Sequence, residues 1–469
     1  MDSQQRPIGV DLFAGAGGMT LGFEQAGFDV LAAVELDPIH CATHEFNFPL
    51  WSILCKSVVD TKAAEIRNRS AIGNQDIDVV FGGSPCQGFS LIGKRALDDP
   101  RNALVFHFVR LVLELQPKYF VFENVPGLTI GKHQKLLLEI IEEFNSNGYL
   151  VETNYKVLNA ANYGVPQNRA RLFLLGCRKG LSLPKYPKAI TKPCRNIIHK
   201  ASLLKREIAG GIIPPLALSS LGGGGETPSL KTPRLFAALS DLPVCPTVGD
   251  AIADLPEVEL YPELLLRDWV IAEYGQVPSN YSARLRGLLP SEDDNECDRL
   301  FDPLILTSSR RTKHTLECIA RFSATNPGQI ESISRFYKLD PQGICNTLRA
   351  GTASNRGAFT SPRPIHPSSP RCITVREAAR LHSYPDWFRF HVTKWHGFRQ
   401  IGNSVPPLLA KAIAAEIIRA LGVEIVKPKH KLPLANEKLL QLNMSQAAQI
   451  YGVSANVIEP RKRQTKKKG

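Results

Sequence analysis

The sequence lacks closely spaced cysteines and long apolar segments. None of its ten cysteines stands in a Cys-x-x-Cys pair, so neither a zinc knuckle nor a dense disulfide framework is indicated. We therefore expect reduced thiols and no metal centre. No apolar run approaches the ~20 residues of a membrane span. The strand-like segment from Ile8 to Phe13 begins almost at once, in place of a signal peptide, so we expect a cytoplasmic protein.

The sequence also has fewer acidic than basic residues. The chain has 57 Lys and Arg against 44 Asp and Glu, a formal net charge of +13. Clustered cations neutralise phosphates and release counterions, so this charge favours a nucleic acid over an acidic metabolite as partner. The 469 residues, 43% hydrophobic and 22% charged, suit a soluble enzyme-like chain of two or three domains.

Residues 1–180 alternate strand-like and helix-like segments. This pattern predicts an α/β fold, a doubly wound Rossmann-like parallel sheet covered by helices. The predicted strands are Ile8 to Phe13, Asp29 to Val34, Ile77 to Phe81, Tyr119 to Phe122, Tyr155 to Leu158 and Arg171 to Gly176, and the predicted helices are Asn102 to Leu115 and Gln134 to Phe144.

The composition changes after about residue 181. From there to about residue 370, Gly, Pro and Ser become more frequent and the hydrophobic periodicity weakens. Helical patterns return at 375–381 and 408–421. The loop-rich part carries scattered basic residues that could face phosphates or base edges, although solvated surface charge is the better interpretation for any one of them. These residues include Arg284, Arg286, Arg310, Arg311, Lys313, His314, Arg349, Arg356 and Arg363.

Residues 427–469 form a basic C-terminal tail, of a kind that is usually disordered and solvated. Its stretch 445–458 is helix-prone, and the small residues and glycine turn have the spacing of a helix-turn-helix. Pro460 would truncate a recognition helix, so a plain helical cap is the favoured interpretation.

A glycine-rich turn follows the first predicted strand and leads into a helix. Such a turn lets the backbone approach a ligand at a helix N-terminus, although it also occurs where a helix simply packs closely on a sheet. Glu35 ends the next strand, where doubly wound folds place a carboxylate that accepts ribose hydroxyls. The glycine spacing departs from the dinucleotide fingerprint and suits adenosyl and methionine moieties better. The predicted cofactor residues here are Phe13, Gly15, Gly17, Gly18 and Glu35.

A cysteine on a tight turn gives the strongest chemical signal. Cys86 follows a predicted strand within the string GGSPCQGFS, where its thiol would be held out for attack, although free cysteines are more often small core residues. Glu123 ends another strand, and a parallel sheet would bring its carboxyl to the same edge. Gln167, Arg169 and Arg171 start a further strand, and alternation points them to one side.

In this order the motifs resemble the cytosine C5 DNA methyltransferase family. Further matches are 371–385, which reads RCITVREAARLHSYP, and 400–407, which reads QIGNSVPP. The resemblance covers about 1–180 and 370–420 and does not reach the tail. It implies S-adenosyl-L-methionine as cofactor and double-stranded DNA as partner, hence a nucleoid-associated cytoplasmic enzyme acting as a monomer, with a cognate restriction endonuclease as a functional partner.

The resemblance also implies roles for the catalytic residues. The Cys86 thiolate would add to cytosine C6 and make C5 nucleophilic toward a sulfonium methyl group. Glu123 would protonate or hydrogen-bond N3, since burial raises the pKa of a carboxyl. Arg171 would hold cytosine O2, and Arg169 would brace the nearby backbone. Water would remove the C5 proton.

Cytosine C5 and C6 are hidden in a duplex, so the target base must be flipped into the pocket. The polar segment 87–100 is the candidate closing loop, although its composition also suits an ordinary surface loop. Within it, Gln87 and Ser90 are predicted to bind substrate, together with Gln167.

The family's last motif packs beside its first at the cofactor, which implies Asn403, Ser404 and Val405 as cofactor neighbours. We also assign Pro85 and Leu104 to this pocket. One departure concerns the turn 56–60, which reads KSVVD where the family commonly has a Gly-Asp-Ile-like turn. Either Ser57 substitutes weakly at the adenine amine or Asp60 takes that place.

These inferences give a catalytic domain at 1–180, completed by 385–425, and a target-recognition domain at 181–384 with specificity in 181–370. A transfer-RNA cytosine C5 methyltransferase and an inactive DNA-binding regulator on the same fold remain alternatives. An exocyclic-amine methyltransferase would need an Asp/Asn/Ser-Pro-Pro-aromatic tetrad, which the chain lacks. The glycine spacing disfavours a nicotinamide dehydrogenase.

Overall fold

A computed structural model describes residues 6–85, 103–194, 241–290, 293–351 and 363–458. Nine strands lie in the first part of the chain: β1 (Ile8–Leu12), β2 (Asp29–Glu35), β3 (Ser52–Cys55), β4 (Val79–Gly83), β5 (Tyr119–Asn124), β6 (Tyr149–Val151), β7 (Lys156–Asn159), β8 (Gln167–Asn168) and β9 (Ala170–Arg178). Eight of them form the central sheet, in the order β3-β2-β1-β4-β5-β9-β6, with β7 also paired to β9. Strands β1 to β5 are parallel, and β9 is antiparallel to its neighbours.

Helices cover both faces of this sheet. The α-helices of the described residues are α1 (Gly18–Ala26), α2 (Pro38–Asn47), α3 (Ala63–Asn68), α4 (Ala103–Leu115), α5 (Lys132–Ser146), α6 (Val248–Ile252), α7 (Asn280–Leu285), α8 (Leu316–Ala324), α9 (Val375–Arg380), α10 (Lys394–Asn403), α11 (Pro407–Leu421) and α12 (Met444–Tyr451). On one face, α4 and α5 bury apolar side chains in a large core. On the other, α1 packs along α11 in a second core. The central strands are nearly continuous apolar runs because both of their faces are covered. The fold is the predicted doubly wound, Rossmann-like α/β architecture.

Residues 241–351 form short elements joined by irregular chain. Their strands are β10 (Val270–Ile271), β11 (Arg299–Leu300), β12 (Ile305–Leu306) and β13 (Cys345–Asn346), and β14 (Leu432–Pro433) follows later. Strand β10 pairs with β12, β13 pairs with β8, and β11 pairs with β14, so two of these pairs tie the region to the rest of the protein. Five 3-10 helices complete the described elements: Pro126–Thr129, Ala160–Tyr163, Val258–Leu260, Pro262–Leu265 and Glu437–Gln441.

An aromatic core joins the predicted domains. Phe48 of the first part packs against Phe388, and Phe388 contacts both Tyr384 and Phe390. The buried Glu24 and Arg299 form an ion pair of 2.8 Å across the same junction. The predicted boundary between residues 384 and 385 therefore passes through one continuous core.

Each predicted strand has a counterpart in the structure, with ends that differ by at most two residues. Strand β3 and helices α2 and α10 were not predicted. Residues 432–451 are not a loose tail, because they contribute β14, a 3-10 helix and α12 to the packed structure. One helix, α12, ends at Gly452, and no second helix follows it among the described residues up to 458. Across the described ranges, no helix has the length and apolarity needed to cross a membrane.

Candidate active site

The carboxyl ends of four neighbouring parallel strands meet at one edge of the sheet. Leu12 of β1 lies beside Gly82 of β4, and Gly83 lies beside Glu123 of β5. Glu35 at the end of β2 lies beside the end of β3. In open α/β sheets, ligands bind in the crevice outside this edge. The structure thus brings together the predicted glycine turn, Glu35 and Glu123.

The glycine turn between β1 and α1 has an unusual backbone. Phe13, Gly15 and Gly17 all have positive φ, of 63°, 57° and 101°. A positive φ strains a phenylalanine, and such strain is concentrated at functional sites. A Cβ placed on Gly15 would meet no atom within 4 Å, so open space lies above the turn. The N-cap residue Gly17 has no side chain to cap α1, and although the Thr20 N–H is bonded to the Asp11 carboxyl, the first N–H groups of the helix lack a cap from this residue.

Glu35 is held by the glycine turn itself. Its Oε2 accepts a hydrogen bond of 2.9 Å from the Gly15 N–H, and its Oε1 accepts one of 2.8 Å from the Asp37 N–H. The side chain is 13% exposed. Burial raises the pKa of Glu35, and the two N–H donors oppose that rise. A fixed carboxylate with remaining lone pairs can accept hydroxyl groups, so these residues fit a ribose-bearing cofactor.

The final motif packs against the first. Were Gly18 an alanine, its Cβ would lie 2.6 Å from Tyr384 Oη, 2.7 Å from the Val405 carbonyl oxygen and 2.8 Å from Ser404 Cβ. Gly18 therefore allows the segment carrying Ser404 and Val405 to contact the start of α1. Val405 is buried, whereas Asn403 is exposed at the end of α10.

The remaining predicted cofactor residues lie at the same edge or near it. Pro85 is exposed just after β4, and Leu104 is half-buried against the core beneath α4. Ser57 follows β3, and its Oγ accepts a hydrogen bond of 3.2 Å from the Val59 N–H. The side chain of Asp60 is exposed one turn later. The Ser57 hydroxyl is thus engaged within its own turn, while the Asp60 carboxylate is open to solvent.

Glu123 and Arg171 form the buried ion pair of the site. Arg171 Nε lies 2.9 Å from Glu123 Oε1, and the two side chains are 13% and 12% exposed. Burial raises the pKa of Glu123, and the charges of Arg171 and Arg169 oppose the rise. A Cβ on Gly83 would overlap Glu123 Oε2, so glycine at this position makes room for the carboxylate.

Asn124 was not predicted as a site residue, yet it fixes the chain that leads to Cys86. Its Nδ2 donates to Ser84 Oγ at 3.2 Å, and its Oδ1 accepts from the Val125 N–H at 2.9 Å. Ser84 is buried. The end of β5 is therefore tied to the end of β4, two residues before Cys86. Cys86, Gln87, Ser90 and the rest of the loop 87–100 lie outside the described residues.

Gln167 and Arg169 lie in the interior. Gln167 Nε2 donates to the Leu381 carbonyl at 3.1 Å, and its Oε1 accepts from the Leu348 N–H at 3.0 Å. Arg169 Nη2 donates to the carbonyls of Gly402, at 2.9 Å, and Ser404, at 2.7 Å. The single strand predicted through these residues is broken at Arg169, which separates β8 from β9.

Two further residues at this edge were missed from the sequence. His382 is buried between Gln167 Nε2, at 2.9 Å, and Ser404 Oγ, at 3.1 Å. Asp11 is buried beneath the glycine turn and accepts a hydrogen bond of 2.6 Å from Thr20 Oγ1. His382 lies within the motif 371–385 and Asp11 just before the glycine turn, but neither was assigned a role, because their partners are not adjacent to them in sequence. Among the described residues, no group of His, Cys, Asp and Glu is arranged to hold a metal ion.

A family model for C-5 cytosine-specific DNA methylases matches residues 9–210 and 273–419. The chain belongs to this family. The enzyme is thus a DNA cytosine C5 methyltransferase, as the motif order predicted. The first matched range contains the carboxyl ends of β1 to β5, and the second ends within α11, at residue 419.

Curated relatives and a solved structure agree with this membership. The methyltransferase is 56% identical over 458 residues to the Type II methyltransferase M.XorII of Xanthomonas oryzae pv. oryzae, covering 98% of this chain and 95% of the relative. It is 32% identical over 428 residues to M.DdeI of Desulfomicrobium norvegicum, covering 87% and 88%. An E. coli prophage-encoded protein, described as a candidate DNA modification methyltransferase, superposes with a TM-score of 0.65 at 31% identity, covering 89% of this chain and 100% of that one.

Proposed function

We propose that the enzyme transfers the methyl group of S-adenosyl-L-methionine to C5 of a flipped-out cytosine in a specific duplex sequence, through a covalent bond between Cys86 Sγ and C6. The observation that carries this proposal is the buried Glu123–Arg171 pair, which lies beside the chain leading to Cys86. A protonatable carboxyl and a guanidinium at one strand end can bind the N3 and O2 edge of cytosine together.

The crevice at the ends of β1 and β2 is the proposed cofactor site. Glu35 would accept the ribose hydroxyls, and the turn containing Phe13, Gly15, Gly17 and Gly18 would contact the methionine end, whose carboxylate suits the uncapped N-terminus of α1. The bound cofactor supplies an electrophilic methyl group. The other proposed neighbours are Asp60, Pro85, Leu104, Asn403, Ser404 and Val405.

Asp60 is the better candidate of the two residues considered for the adenine amine. Its carboxylate is exposed, whereas the Ser57 hydroxyl accepts a backbone hydrogen bond within its own turn. An exposed carboxylate one turn beyond β3 can accept from an amino group with both oxygens.

The catalytic steps follow from the residues at the edge. Cys86 thiolate forms the S–C6 bond, and the electron pair displaced from the C5–C6 double bond moves toward N3, where a proton on Glu123 can neutralise it. Burial raises the pKa of Glu123, which favours its carrying that proton. When C5 bonds to the methyl group, the bond between that methyl and the cofactor sulfur would break, and N3 would return its proton to Glu123. Loss of the C5 proton to water would then restore the C5–C6 double bond and release the Cys86 thiolate.

Arg171 would hold cytosine O2, and its ion pair with Glu123 supports this role by keeping the carboxyl oriented. Arg169 would act by holding the backbone of the 402–404 segment, because its guanidinium donates hydrogen bonds to the carbonyls of Gly402 and Ser404. Gln167 likewise has both ends of its amide bonded to protein, so we propose that it positions the 348 and 381 segments beside the substrate. Gln87 and Ser90 remain proposed substrate contacts within the closing loop.

We also propose double-stranded DNA as the substrate, a monomeric enzyme and a restriction endonuclease as its functional partner. The relatives M.XorII and M.DdeI carry the designation Type II methyltransferase. Base flipping follows from chemistry, since C5 and C6 of a stacked base are out of reach of a thiol. A target-recognition role for the region between β9 and α9 is proposed on the irregular structure of its described residues and on its basic residues.

The test is bisulfite sequencing of host DNA from cells that express the wild-type chain or its Cys86→Ala variant. We expect protection at one cytosine of a short recurring site with the wild type and none with the variant. A duplex with 5-fluorocytosine at that position should then trap the wild type covalently, because fluorine cannot leave C5 as a proton does. Methylation by Cys86→Ala would refute the thiol mechanism, and transfer only to transfer RNA would refute the substrate.

A further inference from the structure

A basic cavity lies at the N-terminal end of α10, away from the sheet edge. Its volume is about 430 Å³, and its walls carry the side chains of Arg310, Lys313, Arg363 and Lys394. Arg310 and Lys313 come from the chain between β12 and α8, Arg363 precedes α9, and Lys394 is the first residue of α10. Three separate stretches of chain thus contribute positive charge to one cavity.

The described residues provide no carboxylate that neutralises these four cations. The neighbouring Arg311 is held by Glu259, with its Nη2 2.9 Å from the Glu259 carboxylate. Within the described part of the chain, by contrast, no Asp or Glu forms an ion pair with Arg310, Lys313, Arg363 or Lys394, and no acidic residue lines the cavity. Lysines and arginines on a protein surface are usually interspersed with acidic residues, so a group of four cations without acidic neighbours is unusual for residues that only keep the protein soluble.

Three of the four cations, Arg310, Arg363 and Lys394, are half-buried, whereas Lys313 is exposed. Lys394 is half-buried, and its Nζ donates to the Arg311 carbonyl at 3.1 Å and to Thr312 Oγ1 at 2.9 Å. Burial lowers the pKa of Lys394, as do the charges of Arg363 and Arg310. Like charges held together in a partly desolvated space repel, and a bound anion relieves that repulsion.

The backbone of α10 adds to the positive potential. The N-cap residue Thr393 makes no capping hydrogen bond, because its Oγ1 is paired with His391 Nδ1 at 2.9 Å. The first N–H groups of the helix therefore have no side-chain acceptor, and the helix dipole places a partial positive charge at the same end. Trp395, in the first turn, supplies an aromatic wall.

We propose that this cavity binds phosphates of the DNA backbone, and that it anchors the duplex beside the target cytosine. The inference deepens the proposed function and rests on it. Helix α10 runs from the cavity to Asn403, and its ten residues span about 15 Å at 1.5 Å per residue. Along a duplex, about 15 Å corresponds to roughly four base pairs. When the target cytosine of a DNA strand enters the crevice, a phosphate a few nucleotides away can therefore reach the cavity.

The experiment compares two doubly substituted full-length enzymes. Arg310→Gln/Lys313→Gln removes two cations of the cavity that make no described ion pair. Lys179→Gln/Lys185→Gln is the control, because it removes the same charge from two exposed residues. Both residues follow β9, whose last residues pair with the first residues of β5, so they lie at the sheet edge opposite to the proposed active site. Fluorescence anisotropy measures Kd for a labelled duplex of arbitrary sequence and for one containing the methylated site, between about 0.05 and 0.2 M salt.

For the cavity variant we expect binding to both duplexes to weaken by about tenfold or more, and the salt slope of log Kd to fall by about 1.8, that is about 0.9 per lost phosphate contact. Cofactor affinity and kcat at saturating DNA should stay unchanged. Behaviour equal to the control, or a loss confined to the duplex with the specific site, would overturn the inference. A wild type that binds duplex but methylates no cytosine in it would instead contradict the proposed function.

Discussion

Asp11 lies under the glycine turn, one residue before the end of β1. It is buried, and its partner Thr20 Oγ1 is also 3.1 Å from Nε2 of the buried His44. Burial raises the pKa of Asp11 to about 8, and hydrogen bonds from Thr20 oppose the rise. At neutral pH this carboxyl is therefore largely protonated, which lets it occupy the space below the proposed cofactor without a buried charge.

Asp11→Asn tests this protonation. In the unfolded chain, Asp11 loses its proton near its ordinary pKa of 3.8, whereas the folded protein holds it up to about 8. The wild-type free energy of unfolding should therefore fall with rising pH through this window, by at most about 1.4 kcal/mol per pH unit. The neutral amide lacks this dependence. We expect the stability of Asp11→Asn relative to wild type to increase from pH 5 to pH 8, as measured by denaturant unfolding.

The exposed Asp76 provides the control. Asp76→Asn should shift the unfolding curve by a similar small amount at each pH. If Asp11→Asn also differs from wild type by a constant amount between pH 5 and pH 8, Asp11 is ionised in the folded enzyme.

At the residue scale, the sequence predicted the groups that end strands. Glu35 and Glu123 were found because the ends of parallel strands share one edge, and the structure places both there. Asn124 and His382 were missed, because their partners Ser84 and Ser404 are distant in sequence and no local pattern marks the pairing. The hydrogen-bond partners of a side chain are thus harder to predict from sequence than its position at the edge of the sheet.

At the scale of elements, the packing of α1 on α11 shapes the crevice. Gly18 and Gly22 lie on the face of α1 that meets the segment 404–411. A Cβ on Gly22 would overlap Ala410 and the Pro407 carbonyl. Gly22 thus allows the close approach of α1 and α11, whereas Gly18 allows the approach of the 404–405 segment at the end of α1 that faces the proposed cofactor.

Gly18→Ala should weaken cofactor binding. Its Cβ would lie 2.6 Å from Tyr384 Oη and 2.7 Å from the Val405 carbonyl, closer than atoms can approach, so the 404–405 segment must move. Such overpacking costs about 1–3 kcal/mol. If that cost falls on the cofactor contact, S-adenosyl-L-methionine affinity drops by roughly tenfold or more, which calorimetry would measure below the unfolding transition.

Gly22→Ala is the matched control for Gly18→Ala. It lies four residues, about 6 Å, further along the helix, and we expect it to lower Tm while leaving cofactor affinity within about threefold. Equal losses of cofactor affinity in the two variants would show that general loosening of the helix pair, rather than displacement of the 404–405 segment, is responsible.

The sequence predicted elements whose own pattern is strong, and it missed those that depend on their neighbours. The long strands were evident because burial on both faces leaves a continuous apolar run, and α11 was evident because burial on one face leaves a helical period. Strand β3 is only four residues long, and α10 contains few apolar residues, so neither stands out. Helix α10 forms because Phe398 and Ile401 pack into the aromatic core, which local sequence does not reveal.

At the scale of the whole molecule, the C-terminal segment closes the structure. Leu440, Ala447 and Ala448 are buried, and the Ala435 N–H donates to the Phe46 carbonyl at 3.0 Å. Tyr451 Oη donates to Glu45 Oε2 at 2.7 Å. Both Phe46 and Glu45 belong to α2, so the segment covers a helix of the catalytic part. The sequence indicated a basic tail here because its charge is evident, whereas the contacts that order 432–451 are distant in sequence.

Two truncations separate these roles of the C-terminal segment. Removing 427–469 exposes α2 and removes the buried side chains of Leu440 and Ala447. Burial of one leucine side chain alone contributes about 1.5–3 kcal/mol to the free energy of unfolding. We therefore expect a large loss of unfolding free energy for this deletion. Removing only 459–469 keeps every described contact but deletes the basic runs 461–463 and 466–468. Tm should then stay nearly unchanged, while DNA affinity and its salt dependence decrease.

Thermal unfolding and anisotropy with a labelled duplex, on both truncations and the full chain, distinguish stability from binding. If 459–469 can be removed with no change in the salt slope of DNA binding, the basic runs make no phosphate contacts and the net charge acts elsewhere. If 427–469 can be removed without lowering Tm, the contacts of β14 and α12 contribute little to folding. The expected separation would mean that the last part of the chain stabilises the catalytic part with its ordered elements and recruits DNA with its basic end.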